Sequence, residues 1–273
     1  MAVAEAPVDR AAPEKRAGGW TVVLGQELRD LWLGGRGLVL CFAFSLLVSV
    51  IAYLVASSTD FNFLEQRESA SLTLQVAIAV GGLLALLVAA DSVSGERERG
   101  TLETMLLTPV PRRQIAAGKL LAALSLWAAA FVISIPYIWL LGRDVGIVQE
   151  ALVAGLVVGT LLALFLVSLG LVISVLSSSN RISLSISLFL LLALLAPTQL
   201  PSGVEQAWAG ELLVNSNPLT AGEHYIGRIV VSGHGWSQDA HLLFAPVLAA
   251  AVSLVVAIVV AGRYMRLRGG VSG

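Results

Sequence analysis

The most densely charged stretch of the sequence is SGERERGTLETMLLTPVPRR, residues 94–113, with seven charged residues in a chain that is 57% hydrophobic. Acidic and basic side chains alternate in its Glu-Arg-Glu-Arg run, so they can pair locally with one another. Leu102, Met105 and Leu106 then recur at helical spacing before a Pro-x-Pro stops the helix. We predict a short amphipathic helix over 96–108, which suits a groove on a partner protein; the alternative is an interfacial helix that only covers the end of a helix bundle.

Residues that could bind a nucleotide phosphate do not have the necessary spacing. A phosphate-binding loop needs G-x-x-x-x-G-K-[ST]. The only Gly-Lys pair, Gly118-Lys119, is followed by Leu120, and Arg113 stands where the first glycine of the loop would be. The chain therefore cannot bind ATP through such a loop, and ATP-driven work would require a second polypeptide.

Three histidines could in principle hold a metal ion, but their spacing is unsuitable. His224, His234 and His241 are 10 and 7 positions apart, which matches no standard zinc spacing. The sequence also has no recognisable Ser-His-Asp or paired-carboxylate arrangement. We therefore expect no catalytic residue, no metal site and no cofactor in this chain.

The elements that must position the charged stretch are apolar and long. Charged residues make up only 13% of the chain, against about 25% in soluble domains, and the mean hydropathy is +0.86. About 20 apolar residues cross a bilayer as a helix, and lipid cannot satisfy open strands. We predict an all-α integral membrane protein with six transmembrane helices, in the stretches without Asp, Glu, Lys or Arg at 37–56, 72–90, 120–141, 151–176, 182–200 and 242–262.

The distribution of basic residues predicts the orientation. If the N-terminus is cytoplasmic and each apolar stretch crosses once, every Lys and Arg except Arg67, Arg143 and Arg228 faces the cytoplasm. This is the positive-inside pattern of a multi-pass protein in the cell membrane, the inner or plasma membrane, with both termini cytoplasmic. The net charge of −1 gives no reason to expect a nucleic-acid partner.

Three segments outside the spans have distinct compositions. Residues 1–18 are rich in Ala, Pro and charge and are predicted to be a disordered cytoplasmic tail, whereas 19–273 form a single membrane domain. The segment WTVVLGQELRDLWL predicts an N-terminal interfacial helix, or alternatively a cytoplasmic extension of the first span. The external segment 201–241 predicts two short amphipathic helices, around Trp208 and around Ile226, which re-enter the outer leaflet or cap the bundle.

Small and aromatic residues on the spans have two possible roles. Small residues, including the GxxxG at 155–159, usually allow helices to approach closely. Alternatively, small and aromatic side chains line a translocation path. Residues considered for such a path are Ser179, Ser183, Ser187, Phe131 and Tyr137.

The predicted spans contain no Asp, Glu, Lys, Arg or His. Ion-coupled carriers normally keep such residues inside the membrane to bind the coupling ion. The composition therefore favours transport that is driven from outside the bilayer.

The charged stretch with the residues that follow it, SGERERGTLETMLLTPVPRRQIAAGK, resembles the signature of type-2 ABC exporter permeases. In that signature a Gly-Glu-Arg-Glu-x-Gly-Thr-Leu-Glu run is followed by a proline and an arginine. The resemblance implies that segment 92–115 is a coupling segment that docks on an ATP-binding subunit, and that 201–241 is re-entrant. The residues implied to couple to the ATPase are Glu96, Arg97, Glu98, Gly100, Thr101, Glu103, Pro109 and Arg113.

The resemblance also implies an assembly. Two permease chains, identical or different, would associate with two ATPases, which would hold the ATP and Mg²⁺, and the permeases would meet through their first and fifth spans. The turn at 177–181 is a second cytoplasmic surface near enough to touch the ATPase through Asn180 and Arg181, or is a simple tight turn.

Two functions are compatible with these features. The first is a permease subunit of an ATP-driven ABC transporter that exports a hydrophobic or amphipathic substrate, with an ATP-binding subunit, a second permease chain and membrane lipid as partners. The alternative is a non-transporting ABC membrane module that drives signalling or the assembly or release of a periplasmic protein.

Overall fold

The fold is described from a computed structural model of the chain, in which residues 19–57, 63–108, 110–199 and 216–265 are placed well enough to describe. All regular elements in these ranges are helical. In chain order they are α1 (Gly19–Leu28), a π-helical turn (Arg29–Leu33), α2 (Arg36–Ala56), α3 (Phe63–Arg99), α4 (Thr101–Leu106), α5 (Arg112–Gly142), α6 (Val148–Leu176), α7 (Asn180–Leu195), a 3-10 turn (Ala196–Gln199), α8 (Pro218–Val230), a 3-10 turn (Ala240–Leu243) and α9 (Phe244–Tyr264).

Six of these helices, α2, α3, α5, α6, α7 and α9, are long and apolar enough to cross a membrane. This confirms the predicted all-α fold with six spans. Several helices extend beyond the predicted apolar stretches, most clearly α3, which covers 63–99 rather than 72–90, whereas α7 ends at Leu195, within the predicted stretch 182–200. The extra residues at the end of α3 include Glu96, Arg97 and Glu98, whose side chains form hydrogen bonds with neighbouring parts of the bundle.

The centre of the bundle is formed by α3, α5 and α6. The most apolar windows of α3 and α6 are 50% and 56% buried, against 22%, 17% and 22% for α2, α7 and α9. Glycines allow the central helices to approach: a Cβ at Gly155 would lie 2.6 Å from Leu74, and one at Gly159 only 2.4 Å from Trp127. The GxxxG at 155–159 therefore has the packing role that its spacing predicts.

The N-terminal helix α1 packs beside the first turns of α5. Val23 is buried, and a Cβ on Gly118 would lie 2.8 Å from it. The indole nitrogen of Trp32 donates a hydrogen bond to Ser125 Oγ over 3.1 Å. The chain turns at Gly35, whose φ of +81° favours glycine, so α1 is not an extension of the first span.

The single helix predicted over 96–108 is wrong in its extent. Residues 96–99 form the last turn of α3, and only Thr101–Leu106 form a separate helix. Gly100 lies between them with a φ of +73°, a conformation that interrupts a right-handed helix. The first four residues stay on α3 because their side chains contact neighbouring helices, as described below.

The second helix predicted in the external segment is present as α8. Asn217 caps it by accepting a hydrogen bond from Leu219 N over 2.9 Å, and Pro218 occupies its first position. Tyr225, Ile226 and the other apolar residues of its inner face are buried. The first helix predicted in this segment, around Trp208, lies outside the described residues, as do the tail 1–18 and Pro109.

Candidate coupling site at the charged end

Two turns that the sequence predicts as separate contacts lie side by side at one end of the bundle. We call this end, where α3 ends and α7 begins, the charged end. The Arg97 guanidinium donates to the carbonyl oxygen of Val175 over 3.0 Å and to that of Ser177. The backbone N–H of Asn180 donates to Glu98 Oε1 over 2.8 Å. Residues 96–101 and 177–180 therefore form a single surface, which we call the paired turns.

Glu96 points away from this surface into a buried cluster. Its Oε1 lies 2.5 Å from the ammonium nitrogen of Lys119, which also lies 2.6 Å from Glu27 Oε1. Lys119 further donates to the carbonyl oxygen of Ser92 over 2.9 Å, and its side chain is fully inaccessible to solvent. A buried ammonium is tolerated only when it is paired and hydrogen-bonded. This buried lysine cluster ties α1, the end of α3 and the start of α5 together.

A second polar cluster is centred on Asp91. Its carboxylate accepts hydrogen bonds from the Arg36 guanidinium over 2.6 Å and from Asn180 Nδ2 over 2.7 Å. Arg99 lies 3.9 Å away. A Cβ at Gly95 would lie 2.2 Å from Asp91 Oδ1, so only glycine leaves room for this carboxylate. The cluster connects α2, α3 and α7 beside the paired turns.

The side chains that remain available to a partner are on the outside of the paired turns. Glu98, Thr101 and Glu103 are exposed, whereas Leu102 between them is buried and anchors α4. The Thr101 hydroxyl donates to the carbonyl oxygen of Glu96 over 3.3 Å and fixes the start of α4 to the end of α3. The first turn of α4 therefore presents two polar side chains, Thr101 and Glu103, on a fixed base.

Other predicted residues surround this surface. Arg181 is exposed in the first turn of α7, and Asn180 is half-buried beneath it. Arg113 is exposed in the first turn of α5 and lies against Gly262 of α9. The geometry brings the predicted coupling residues 96–103 together with Asn180, and leaves Arg113 on a neighbouring helix.

Four residues of the two clusters were not identified as site residues from the sequence: Glu27, Arg36, Asp91 and Lys119. Lys119 and Asp91 each stand directly beside an apolar stretch. A charge in that position suggests a partner at the membrane boundary, and this is the signal that could have identified them. Their partners are far away in the sequence, 92 positions for Glu27 and Lys119.

The residues considered for a translocation path lie at contacts between helices of this chain. Ser183 is buried and donates to the carbonyl oxygen of Ala90 over 2.7 Å, and Ser187 is also buried. Ser179 caps α7 by accepting from Ile182 N. These contacts support the packing role for the serine stripe.

The two aromatic residues also contact neighbouring side chains. The hydroxyl of Tyr137 lies 2.6 Å from Ser49 Oγ on α2 and 3.3 Å from Ser45 Oγ. The ring of Phe131 lies 5.8 Å from that of Trp127, between centroids. A role for either residue in a path stays a prediction.

Comparison with known proteins agrees with this architecture. The chain matches the family described as ABC-2 family transporter protein over residues 21–262, from α1 to the end of α9. A search of curated proteins found no match. The matched range includes all six spans and both polar clusters, so the chain belongs to the ABC-2 transporter family and is a multi-pass membrane permease subunit of an ABC transporter.

Proposed function

We propose that this chain exports a hydrophobic or amphipathic substrate, driven by a separate ATP-binding subunit that docks on the paired turns. The observation that carries the proposal is the hydrogen bond between Glu98 and the backbone of Asn180 beside the exposed helix α4. A partner that contacts α4 would therefore also contact the start of α7. ATP and Mg²⁺ would bind in the partner, because this sequence has no phosphate-binding loop of the Walker type.

The two polar clusters support a mechanical role for this surface. Helix α3 is continuous over 37 residues, which is about 55 Å at 1.5 Å per residue. Its last turn is held to α1 and α5 through Lys119, and the turn that contains Asp91, about two turns earlier, is held to α2 and α7. A displacement of the paired turns would therefore move several helices together rather than bend one helix.

The faces of α2 and α7 support association with a second permease chain. Both helices are mostly unburied within this chain, and their large apolar side chains are exposed: Leu38, Phe42, Leu46, Tyr53, Ile182, Ile186 and Phe189 are examples. A cleft of about 620 Å³ lies where α2, α3 and α7 meet, with Asp91 and Arg36 among its lining residues. We propose that two chains meet through α2 and α7, and that the substrate path runs along the axis between them.

The orientation follows from the same proposal. The paired turns and both termini would face the cytoplasm of a cell with this protein in its inner or plasma membrane. The basic residues support this arrangement, since nine of the twelve within the described ranges lie on the side of the charged end, and only Arg67, Arg143 and Arg228 lie on the other.

The proposal is tested with the chain and its co-purified ATP-binding subunit in proteoliposomes. Reversing Glu98 or Glu103 to Lys should lower the stimulation of ATP hydrolysis by the permease at least severalfold. The matched control is Glu150→Lys, which reverses an exposed carboxylate in the first turn of α6 at the opposite end. Equal stimulation of ATP hydrolysis by all variants would contradict the coupling role of Glu98 and Glu103. ATP hydrolysis without movement of any labelled lipid or amphiphile would favour the non-transporting function.

A further inference from the structure

A polar cavity lies at the end of the bundle opposite the charged end. It has a volume of about 550 Å³ and lies between the first half of α3, the 3-10 turn after α7, and α8. Along α3 it is separated from the paired turns by about 40 Å, at 1.5 Å per residue between Glu68 and Glu96. Its size is in the range of small-ligand pockets. The polar residues that line it include Glu68, Gln75, Thr220, Glu223, His224 and Arg228.

The carboxyl group of Glu223 is the most unusual feature of this cavity. The side chain is half-buried on α8, and within the described part of the chain no hydrogen bond or ion pair reaches it. Burial raises the pKa of Glu223 to about 7, because desolvation disfavours the carboxylate. A nearby cation would restore the ionised form.

Two further residues with hydrogen-bond acceptors, Gln75 and Thr220, line the same cavity. Gln75 Nε2 donates to Ser71 Oγ over 3.2 Å, which leaves its carbonyl oxygen as an acceptor. Thr220 is 1% exposed, and its buried hydroxyl has no hydrogen-bond partner among the described residues. Buried polar atoms without partners are rare in folded proteins and require an explanation.

The arrangement of charges favours a cationic ligand. Three residues with acceptor atoms are half-buried or buried: Glu223, Gln75 and Thr220. Glu68 adds a second carboxylate at the exposed rim. Arg228 is exposed at the rim and forms no ion pair with the half-buried Glu223. Within the described residues no three His, Cys, Asp or Glu side chains come together as metal ligands. An ammonium group, with three donors and one charge, matches these acceptors better than a metal ion does.

We propose that this cavity binds an ammonium group, carried either by the headgroup of an aminophospholipid or by a small free amine. Glu223 provides the opposite charge, and Gln75 Oε1 and Thr220 Oγ1 accept the remaining hydrogen bonds. Arg228 at the rim is placed to meet the phosphate of a lipid headgroup. Binding at this site does not depend on the ATPase, so it can be measured on the permease alone and fails or succeeds separately from the coupling proposal.

The experiment uses the full-length chain purified in detergent and two kinds of probe. Calorimetry measures the binding of ethanolamine, with ethylene glycol as the neutral control. Native mass spectrometry compares short-chain phosphatidylethanolamine with phosphatidylglycerol of the same chain length, which lacks the ammonium group. We expect Glu223→Gln and Thr220→Val each to weaken binding of the ammonium compounds at least about tenfold, from the strength of hydrogen bonds with charged groups.

The matched control is Glu150→Gln, which removes one exposed carboxylate from the same end of the bundle without touching the cavity. If Glu223→Gln weakens the binding of both ethanolamine and phosphatidylethanolamine, the cavity is a general ammonium site. If it weakens only the binding of phosphatidylethanolamine, the lipid headgroup is the ligand. Equal binding of the two lipids, or ammonium binding unchanged by Glu223→Gln and Thr220→Val, overturns the proposal. If Glu223→Gln does not fold, Thr220→Val decides between these outcomes.

Discussion

The ammonium nitrogen of Lys119 lies 2.5 Å from a carboxylate oxygen of Glu96, and the lysine side chain is completely shielded from solvent. This contact joins the start of α5 to the last turn of α3, at the first residue of the paired turns. Glu27 of α1 completes the cluster from the other side at 2.6 Å. The N-terminal helix, the second span and the third span are thus held at one point.

Replacing Lys119 with Met should destabilise the protein strongly. The change leaves Glu27 and Glu96 mostly buried without their cation, and breaking a buried pair in this way costs about 3–5 kcal/mol. Thermal unfolding in detergent should show a large drop in the midpoint. The triple variant K119M/E27Q/E96Q should recover a substantial part of the loss, because it removes the unpaired charges. Arg143→Met, which removes an exposed cation at the opposite end, should change the midpoint little.

Gly100→Ala should disturb the junction between α3 and α4. The φ of Gly100 is +73°, and nothing lies within 4 Å of the added Cβ, so the effect is conformational rather than steric. A left-handed alanine costs about 1–2 kcal/mol. We expect a modestly lower unfolding midpoint and weaker stimulation of ATP hydrolysis by the permease.

The matched control for that substitution is Gly25→Ala, a helical glycine of α1 that also has open space around its Cβ. Alanine should be neutral or slightly stabilising there, by up to about 1 kcal/mol. A Gly100→Ala variant that behaves like Gly25→Ala in both assays would contradict the conformational role of Gly100.

Gly159→Ala should separate α6 from α5. Its Cβ would lie 2.4 Å from the Trp127 ring, which is closer than real contacts allow. Overpacking a core costs about 1–3 kcal/mol, so the unfolding midpoint should fall, and Gly25→Ala again provides the control. An unchanged midpoint would mean that the two helices are not packed as tightly as described.

Binding of ethanolamine should depend on pH through Glu223. Its pKa is raised to about 7, so the carboxyl group is mainly ionised above pH 7 and mainly neutral below it. The ammonium ligand stays protonated from pH 6 to 8, and affinity should therefore rise with pH and level off near pH 8. The other titratable or charged groups that line the cavity are Glu68 on α3 and His224 and Arg228 on α8.

Calorimetry at pH 6, 7 and 8 tests this dependence. The variant Glu223→Gln should bind weakly at all three values, and His224→Gln should keep the rise, because the carboxyl group that carries it is intact. A rise that survives in Glu223→Gln and disappears in His224→Gln would assign the dependence to the histidine and contradict the role of Glu223.

The six spans could be predicted from the sequence because lipid imposes a simple requirement, about 20 apolar residues in a helix. The helix ends could not be predicted in the same way. Helix α3 continues to Arg99 because Glu96, Arg97 and Glu98 each contact another helix. These contacts join parts of the chain that are far apart in sequence. The charges alone therefore indicated where the apolar stretch ends, but not where the helix ends.

The location of the paired turns was predictable in part. The resemblance of the charged stretch to the permease signature implies roles for Glu98, Thr101 and Glu103, which are exposed, and also for Glu96 and Arg97, which point inward. The sequence does not distinguish the exposed side chains from those that point inward, because the Glu-Arg repeat is uniform. The partners of Lys119 lie 23 and 92 positions away, and only the folded bundle brings them together.

A site-directed cross-link between this chain and its ATP-binding subunit tests directly whether that subunit docks at the charged end. Cys41 is the only cysteine, so a Cys41→Ser background allows one reactive thiol to be placed at either end of the bundle. Glu103→Cys, on the exposed surface of α4, should cross-link to the co-purified ATP-binding subunit with a short bifunctional reagent. Glu150→Cys, equally exposed at the opposite end, should not. A cross-link through position 150 and none through position 103 would contradict the proposed docking surface and the orientation together.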